Sequence, residues 1–126
     1  MSGDVGLPAG LTVSVLRELF RNLQLFEALY ETEGIDILTA SDGRQVSLWD
    51  AQYLYEQRRH PSLSPRQRQA IELFLYENLT ESATSEAMGI MDTNPIGMYA
   101  TDGLKKILVL VQSGSLRLYR QEGIAS

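Results

Sequence analysis

No cysteine occurs among the 126 residues, which excludes disulfide staples, thiolate metal sites and a cysteine nucleophile. The only histidine, His60, sits beside a loop, so a Ser-His-Asp triad or a histidine-rich zinc site would rest on that one residue. No apolar run reaches the roughly eighteen residues of a membrane span. The first ten residues, MSGDVGLPAG, lack the basic segment and apolar stretch of a secretory signal, so a cytoplasmic protein with no membrane partner is expected. Cationic charge is also scarce, at 11 Lys and Arg against 16 Asp and Glu. Because sequence-independent DNA affinity comes from neutralising phosphates, a net charge of −5 argues against a nucleic-acid footprint spread over the whole chain.

The acidity is uneven. Residues 1–56 hold nine acids and three bases, a net of −6, whereas residues 57–126 hold seven acids and eight bases, a net of +1. The C-terminal half can therefore meet DNA, while the acidic N-terminal half is better suited to a dimer interface or a second partner. With 44% apolar residues, the chain has enough material for one compact unit.

From a cap at Thr12 or Ser14, apolar residues recur at helical spacing through Tyr30, which predicts one long amphipathic helix ending near Gly34. Leu25 falls off the stripe and widens the apolar arc. Two short β-prone runs, Ile35–Thr39 and Gln45–Leu48, flank Ser41-Asp42-Gly43 and predict a small hairpin. Ser47 then caps a short aromatic helix to about Arg58, in which Trp49, Tyr53 and Tyr55 read as core rather than as a base-stacking platform.

The best helix start is Ser64-Pro65-Arg66-Gln67, with Ser at the cap, Pro at the first helical position and Gln placed to reach back. That helix is expected to run to Glu77 or Asn78, with Arg66, Gln67, Arg68, Gln69 and Glu72 facing outward. Thr80 caps a second helix closed by Gly89, and Thr93-Asn94-Pro95 opens a third, broken by Gly114. Residues 115–120 alternate as a terminal strand. Gly97 and Gly103 each cost a helix interior about 1 kcal/mol relative to Ala, which indicates close packing or close approach of a partner. Asp36, Asp42 and Asp50 show no ligand periodicity, so neither metal nor cofactor is expected.

Two short helices joined at Gly89-Ile90-Met91-Asp92, with a third upstream, have the spacing of a trihelical helix-turn-helix. Ser85 allows close approach, Gly89 the turn, and Ile96 the anchor of the second helix. Here the segment LSPRQRQAIELFLYENLTESATSEAMGI resembles the part of bacterial sigma factors that recognises the −35 promoter element, over about a third of the chain. The combination SPRQRQAIELFL, MGI, TNP and MYATDGLKK is also similar to small helix-turn-helix proteins of actinobacterial phages. The pattern departs from the sigma family in three respects: Thr84 and Ser85 replace more apolar residues, the turn is one residue longer, and the recognition helix is basic only at Lys105-Lys106.

The resemblance implies a mainly α fold: a trihelical helix-turn-helix C-terminal half (61–112) preceded by a long helix and a small β-hairpin (1–60), with a tail from 113. It implies a small non-enzymatic regulator of transcription, cytoplasmic in a bacterial host, whose residues 94–107 enter the major groove of double-stranded DNA. Asn94, Gly97 and Thr101 would face bases, and Arg66, Arg68, Lys105 and Lys106 would hold phosphates. Weak monomer affinity would then call for a homodimer. The alternative is a protein-interaction module that keeps the fold and binds RNA polymerase or a phage assembly component, including a small-terminase-like role. Lys105 and Lys106 also have a plainer reading, as a solvated, dipole-complementing helix end.

Overall fold

A computed structural model describes residues 10–116. The fold is mainly helical with one small antiparallel sheet. The predicted strand over 115–120 falls largely outside the described residues.

The first helix is not continuous. It divides into α1 (Val13–Arg21) and α2 (Leu23–Glu33) at Asn22. Thr12 caps α1 by accepting the Val15 N–H at 3.2 Å. Asn22 leaves the helical region at φ −104°, ψ 3°, and its side-chain amide donates to the Glu18 carbonyl at 2.8 Å. The Arg21 carbonyl accepts from the Asn78 side chain at 2.7 Å. Local side-chain competition and one tertiary hydrogen bond therefore break a helix that periodicity alone makes continuous. Past the hinge, Leu23 and Phe26 turn to the core and Leu25 is exposed.

Strands β1 (Ile37–Thr39) and β2 (Gln45–Ser47) pair with Leu38 opposite Val46. The three-residue loop Ser41–Gly43 closes with the Ala40 N–H on the Arg44 carbonyl at 2.7 Å, and Gly43 supplies the positive φ such a loop requires. The Glu18 carboxylate ties this loop to α1 by accepting the Ser41 N–H and hydroxyl at 2.9 Å. Ser47 caps α3 (Leu48–Glu56) through the Asp50 N–H at 3.0 Å, and a 3-10 turn follows at Gln57–Arg59. The core face of α3 is Leu48, Ala51, Leu54 and Tyr55, while Trp49 is 56% exposed. The expectation that Trp49 is core is thus wrong: it lies on the flank of the stripe those four residues define.

The capping box read from the sequence is present. Ser64 Oγ accepts the Gln67 N–H at 3.1 Å and Gln67 Oε1 accepts the Ser64 N–H at 3.0 Å. Helix α4 (Pro65–Ala70) continues into a π-helical segment, Ile71–Tyr76. Asn78, at φ 57°, lies just beyond it. Helix α5 (Glu81–Met88) ends at Gly89, where the Ile90 N–H bonds the Ser85 carbonyl at 2.9 Å in a Schellman closure. Helix α6 (Asn94–Ser113) ends the same way at Gly114. Its first turn departs from expectation: Thr93 makes no side-chain cap, and Asp92 Oδ1 accepts the Asn94 N–H instead.

α6 is the axis of the fold, packed by α1, α4, the π segment, α5 and the 3-10 turn. One apolar cluster runs from Leu11 to Ile107, so the core is continuous across residue 60. Gly103 is what permits the closest of these contacts. A Cβ there would lie 2.7 Å from Ile71 Cδ1 and 3.4 Å from Gln67 Cβ, so the cost of this helix glycine is explained by packing inside the chain. Gly97 has no such neighbour, since its Cβ would meet only the Glu81 carboxylate at 3.9 Å.

The two glycines therefore predict opposite outcomes in denaturant unfolding. Gly103→Val overpacks the α4–α6 contact and lowers stability by about 2 kcal/mol or more. Gly97→Ala raises it by roughly 0.5–1 kcal/mol. A stabilised Gly103→Val variant would show that the close approach is not required.

Candidate functional site

The structure separates the seven residues expected to contact DNA. Arg66, Arg68 and Lys105 are exposed. The Arg66 guanidinium lies over Tyr99 of α6, 6.0 Å from the ring centroid, which joins α4 and α6 at one surface. Of the other four, Thr101 and Lys106 are engaged by the protein itself. Thr101 Oγ1 accepts a hydrogen bond from Arg17 of α1 at 2.7 Å, and Lys106 Nζ donates to the Ser62 carbonyl at 2.7 Å. Asn94 is exposed but begins the helix on the Asp92 carboxylate. Gly97 faces Glu81. The N-terminal turns of α6, where a groove-reading helix makes its base contacts, are thus flanked by acids.

Helix length changes the meaning of the lysine pair. α6 extends to Ser113 and has no basic residue in its last turn, so Lys105 and Lys106 stand mid-helix and do not complement its C-terminal dipole. Arg58, near Arg59, Arg66 and Arg68 in sequence, is not a surface cation. It is 8% exposed, pairs with Glu72 at 2.7 Å and lies over the Tyr55 ring at 4.0 Å. Glu72, expected to face outward, is held inward by this ion pair.

That pair belongs to a polar and aromatic seam between α2, α3 and the π segment. Glu27 accepts from Tyr76 Oη at 2.9 Å and from Gln52 Nε2 at 2.9 Å. Tyr55 stacks on Tyr76 with centroids 4.6 Å apart and meets Phe20 edge-on. Burial pushes the Tyr76 phenol up to about 12, with the Glu27 hydrogen bond adding to it. Burial raises the Tyr55 phenol further, against the opposing pull of Arg58. Burial alone would lower the Arg58 pKa, but Tyr55 and the Glu72 hydrogen bond outweigh it and raise it. Glu27, Gln52, Tyr76, Arg58 and Glu72 are each partnered within the chain, which gives the seam a structural role.

Comparison with protein-family models, curated proteins and solved structures finds no match.

Among the described residues, no cluster of three or more metal-ligating side chains occurs and no helix is long and apolar enough to cross a membrane. Asp42 is paired with Arg44 at 3.2 Å. A groove of about 430 Å³ on α1 is lined by Ser14, Arg17, Glu18, Arg21, Asn22 and Ser41. Its charged groups are already committed: Arg17 to Thr101, Glu18 to Ser41, and Arg21 to the Phe74 ring at 4.6 Å.

The surface feature missed by sequence reasoning is apolar. Tyr30 and Trp49 meet edge-to-face at 5.3 Å, and both are exposed. Ile37, in register with Ser47, stands two residues from Trp49 along the pairing, and Ile35 follows the end of α2; both are exposed. A signal was available. The run Ile35-Asp36-Ile37-Leu38 has apolar residues on both strand faces, and a two-stranded sheet on one core can cover only one of them.

The seam predicts a pH dependence. A phenol whose pKa is raised on folding contributes stability that is complete below its unfolded value, near 10, and is lost as pH rises toward its folded value, here about 12 for Tyr76. In a spectrophotometric titration, Tyr55 and Tyr76 should remain un-ionised through most of that window and ionise together with unfolding. Ionisation of all six tyrosines near pH 10 with the fold intact would refute the seam.

Proposed function

We propose that this chain is a non-catalytic protein-interaction module. In this reading, the helix-turn-helix-like order of α4 with its π segment, α5 and α6 serves as scaffold, and α6 is not a free reader of duplex DNA. The observation that carries it is the position of α6. Ile96, Ala100, Gly103, Leu104, Ile107 and Leu110 are buried against the other helices, and Arg17 of α1 holds Thr101 from one flank. The face left open is a narrow stripe that includes Asn94, Met98, Lys105 and Val109, in which a single cation stands among neutral side chains. Base readout by Arg to guanine has no donor there. Acids at 81, 92 and 102 surround the approach to the N-terminal half of the helix, and phosphates are repelled by such a rim.

Duplex binding is the second reading, and one observation favours it. Arg66, Arg68 and Lys105 are exposed cations on adjacent helices, with Arg66 reaching α6 through Tyr99. Three phosphate contacts would give weak, shallowly salt-dependent association without sequence preference. A sigma-like or phage-type regulator would need more, supplied by a dimer or by RNA polymerase.

Fluorescence anisotropy with a labelled duplex at low salt separates the two. The expected outcome is association no tighter than about 10⁻⁴ M, the weak end of non-specific binding, with no difference between duplexes of different sequence. Lys105→Glu and Arg66→Glu should then leave the remaining association within about twofold. Tight binding abolished by those substitutions would overturn the interaction reading and restore the DNA reader.

A further inference from the structure

The geometry points to the Tyr30–Trp49 surface as a docking site for a basic amphipathic segment of another protein, one that sets an apolar side chain against the exposed rings and flanks it with Lys or Arg. This inference rests on the interaction reading and gives it a location and a partner chemistry.

Single exposed apolar residues need no explanation, but a cluster does. Of eight large apolar side chains exposed among the described residues, Tyr30, Ile35, Ile37 and Trp49 gather where the end of α2 meets the hairpin and the start of α3. The two rings already hold an edge-to-face geometry, so a partner that packs against them loses little entropy in ordering them. The exposed faces of the rings also accept cations.

Charge selects the occupant. Between Asn22 and Gly43 the chain has five acids and no Lys or Arg. Three of those acids, Glu31, Glu33 and Asp36, are exposed and interleave with Tyr30, Ile35 and Ile37 along the chain. The nearest following base, Arg44, is committed to Asp42 and to the Gly10 carbonyl. A two-fold pairing of this surface with a second copy would set these carboxylates against their own counterparts. Nucleic acid and anionic lipid are repelled for the same reason. A cationic segment with an apolar anchor satisfies both the patch and its rim.

The probe is a synthetic peptide of about sixteen residues with Leu and Lys at helical spacing, end-labelled, with a Leu/Glu peptide as counterpart. Trp49 is the only tryptophan, so its emission reports this surface directly. The expected result is a saturable blue shift with the Leu/Lys peptide, weakened by salt, and no shift with the Leu/Glu peptide. Trp49→Ala, read by anisotropy of the label, should weaken binding about tenfold or more. The exposed charge reversal Glu31→Lys with Asp36→Lys should do likewise. Glu81→Lys with Glu86→Lys, equal in charge change but on α5, should stay within about twofold.

Equal weakening by the α5 pair would reduce the binding to general attraction and overturn the assignment. So would comparable binding of the Leu/Glu peptide. A concentration-dependent blue shift without peptide, accompanied by a doubled mass, would assign the surface to a second copy. If neither peptide nor duplex binds, this partner assignment fails alone. Tight duplex binding lost on Arg66→Glu or Lys105→Glu removes the interaction reading itself.

Discussion

The contact on which the remainder of the fold depends is the approach of Gly103 to Ile71. Without a side chain at that point, α6 lies so near the α4–π helix that an added Cβ would fall 2.7 Å from Ile71 Cδ1 and 3.4 Å from Gln67 Cβ. Once α6 is seated there, its remaining apolar positions have to be covered from the other side, and α1 and α5 supply the cover. Burial of Ile96, Leu104 and Ile107, each fully enclosed, is worth roughly 2 kcal/mol apiece. Those terms fix α6 in the core more firmly than any contact available to its thin outer stripe could draw it out. Its long extent follows from the same role, because a helix that spans the whole core has more to bury than one that only presents a face.

What could be read from the sequence is what depends on neighbours in the chain. Ser64 with Gln67, Ser47 with Asp50, Thr80 with Ala83, and the glycines at 89 and 114 mark helix ends through hydrogen bonds within a few residues, and each was legible. The hairpin was legible for the same reason, since its loop closes on itself. The hinge at Asn22 was not. It needs the Asn78 side chain, 57 positions away in sequence and 2.7 Å away in space, to take up the Arg21 carbonyl. Thr101 looked like an open polar residue at helical spacing, and only the fold brings Arg17 to it. Of the seven residues read as a DNA surface, Arg66, Arg68 and Lys105 remain both charged and exposed. Thr101 and Lys106 are taken up by long-range partners, Arg17 and Ser62, that helical periodicity does not encode.

Charge and burial are arranged together. The cations that look most available in the sequence are largely absorbed: Arg58 by Glu72 and Tyr55, Arg44 by Asp42, Arg17 by Thr101, Arg21 by Phe74 and Lys106 by Ser62. Contacts of this kind hold the helices in register; Arg58 and Arg44 are offset by acids, while Arg17, Arg21 and Lys106 keep their charge but are held in place by neutral groups. Several acids of the N-terminal half, by contrast, remain in solvent. Where the apolar cluster lies, the exposed charges are the acids Glu31, Glu33 and Asp36.

The hairpin shows why an uncovered apolar face belongs to this architecture. Two strands of three residues each can bury one face, and Leu38 and Val46 occupy it. Among the described residues no helix covers the opposite face, because α3 leaves the hairpin directly from Ser47 and turns Leu48, Ala51 and Leu54 inward. Polar residues on that outer face would satisfy the fold equally well. Isoleucines at 35 and 37, continued by Trp49 against Tyr30, add apolar area that the core does not use. Area of that kind contributes to stability only when something outside the described fold covers it. On the interaction reading, association with a partner is the constraint that keeps this surface apolar.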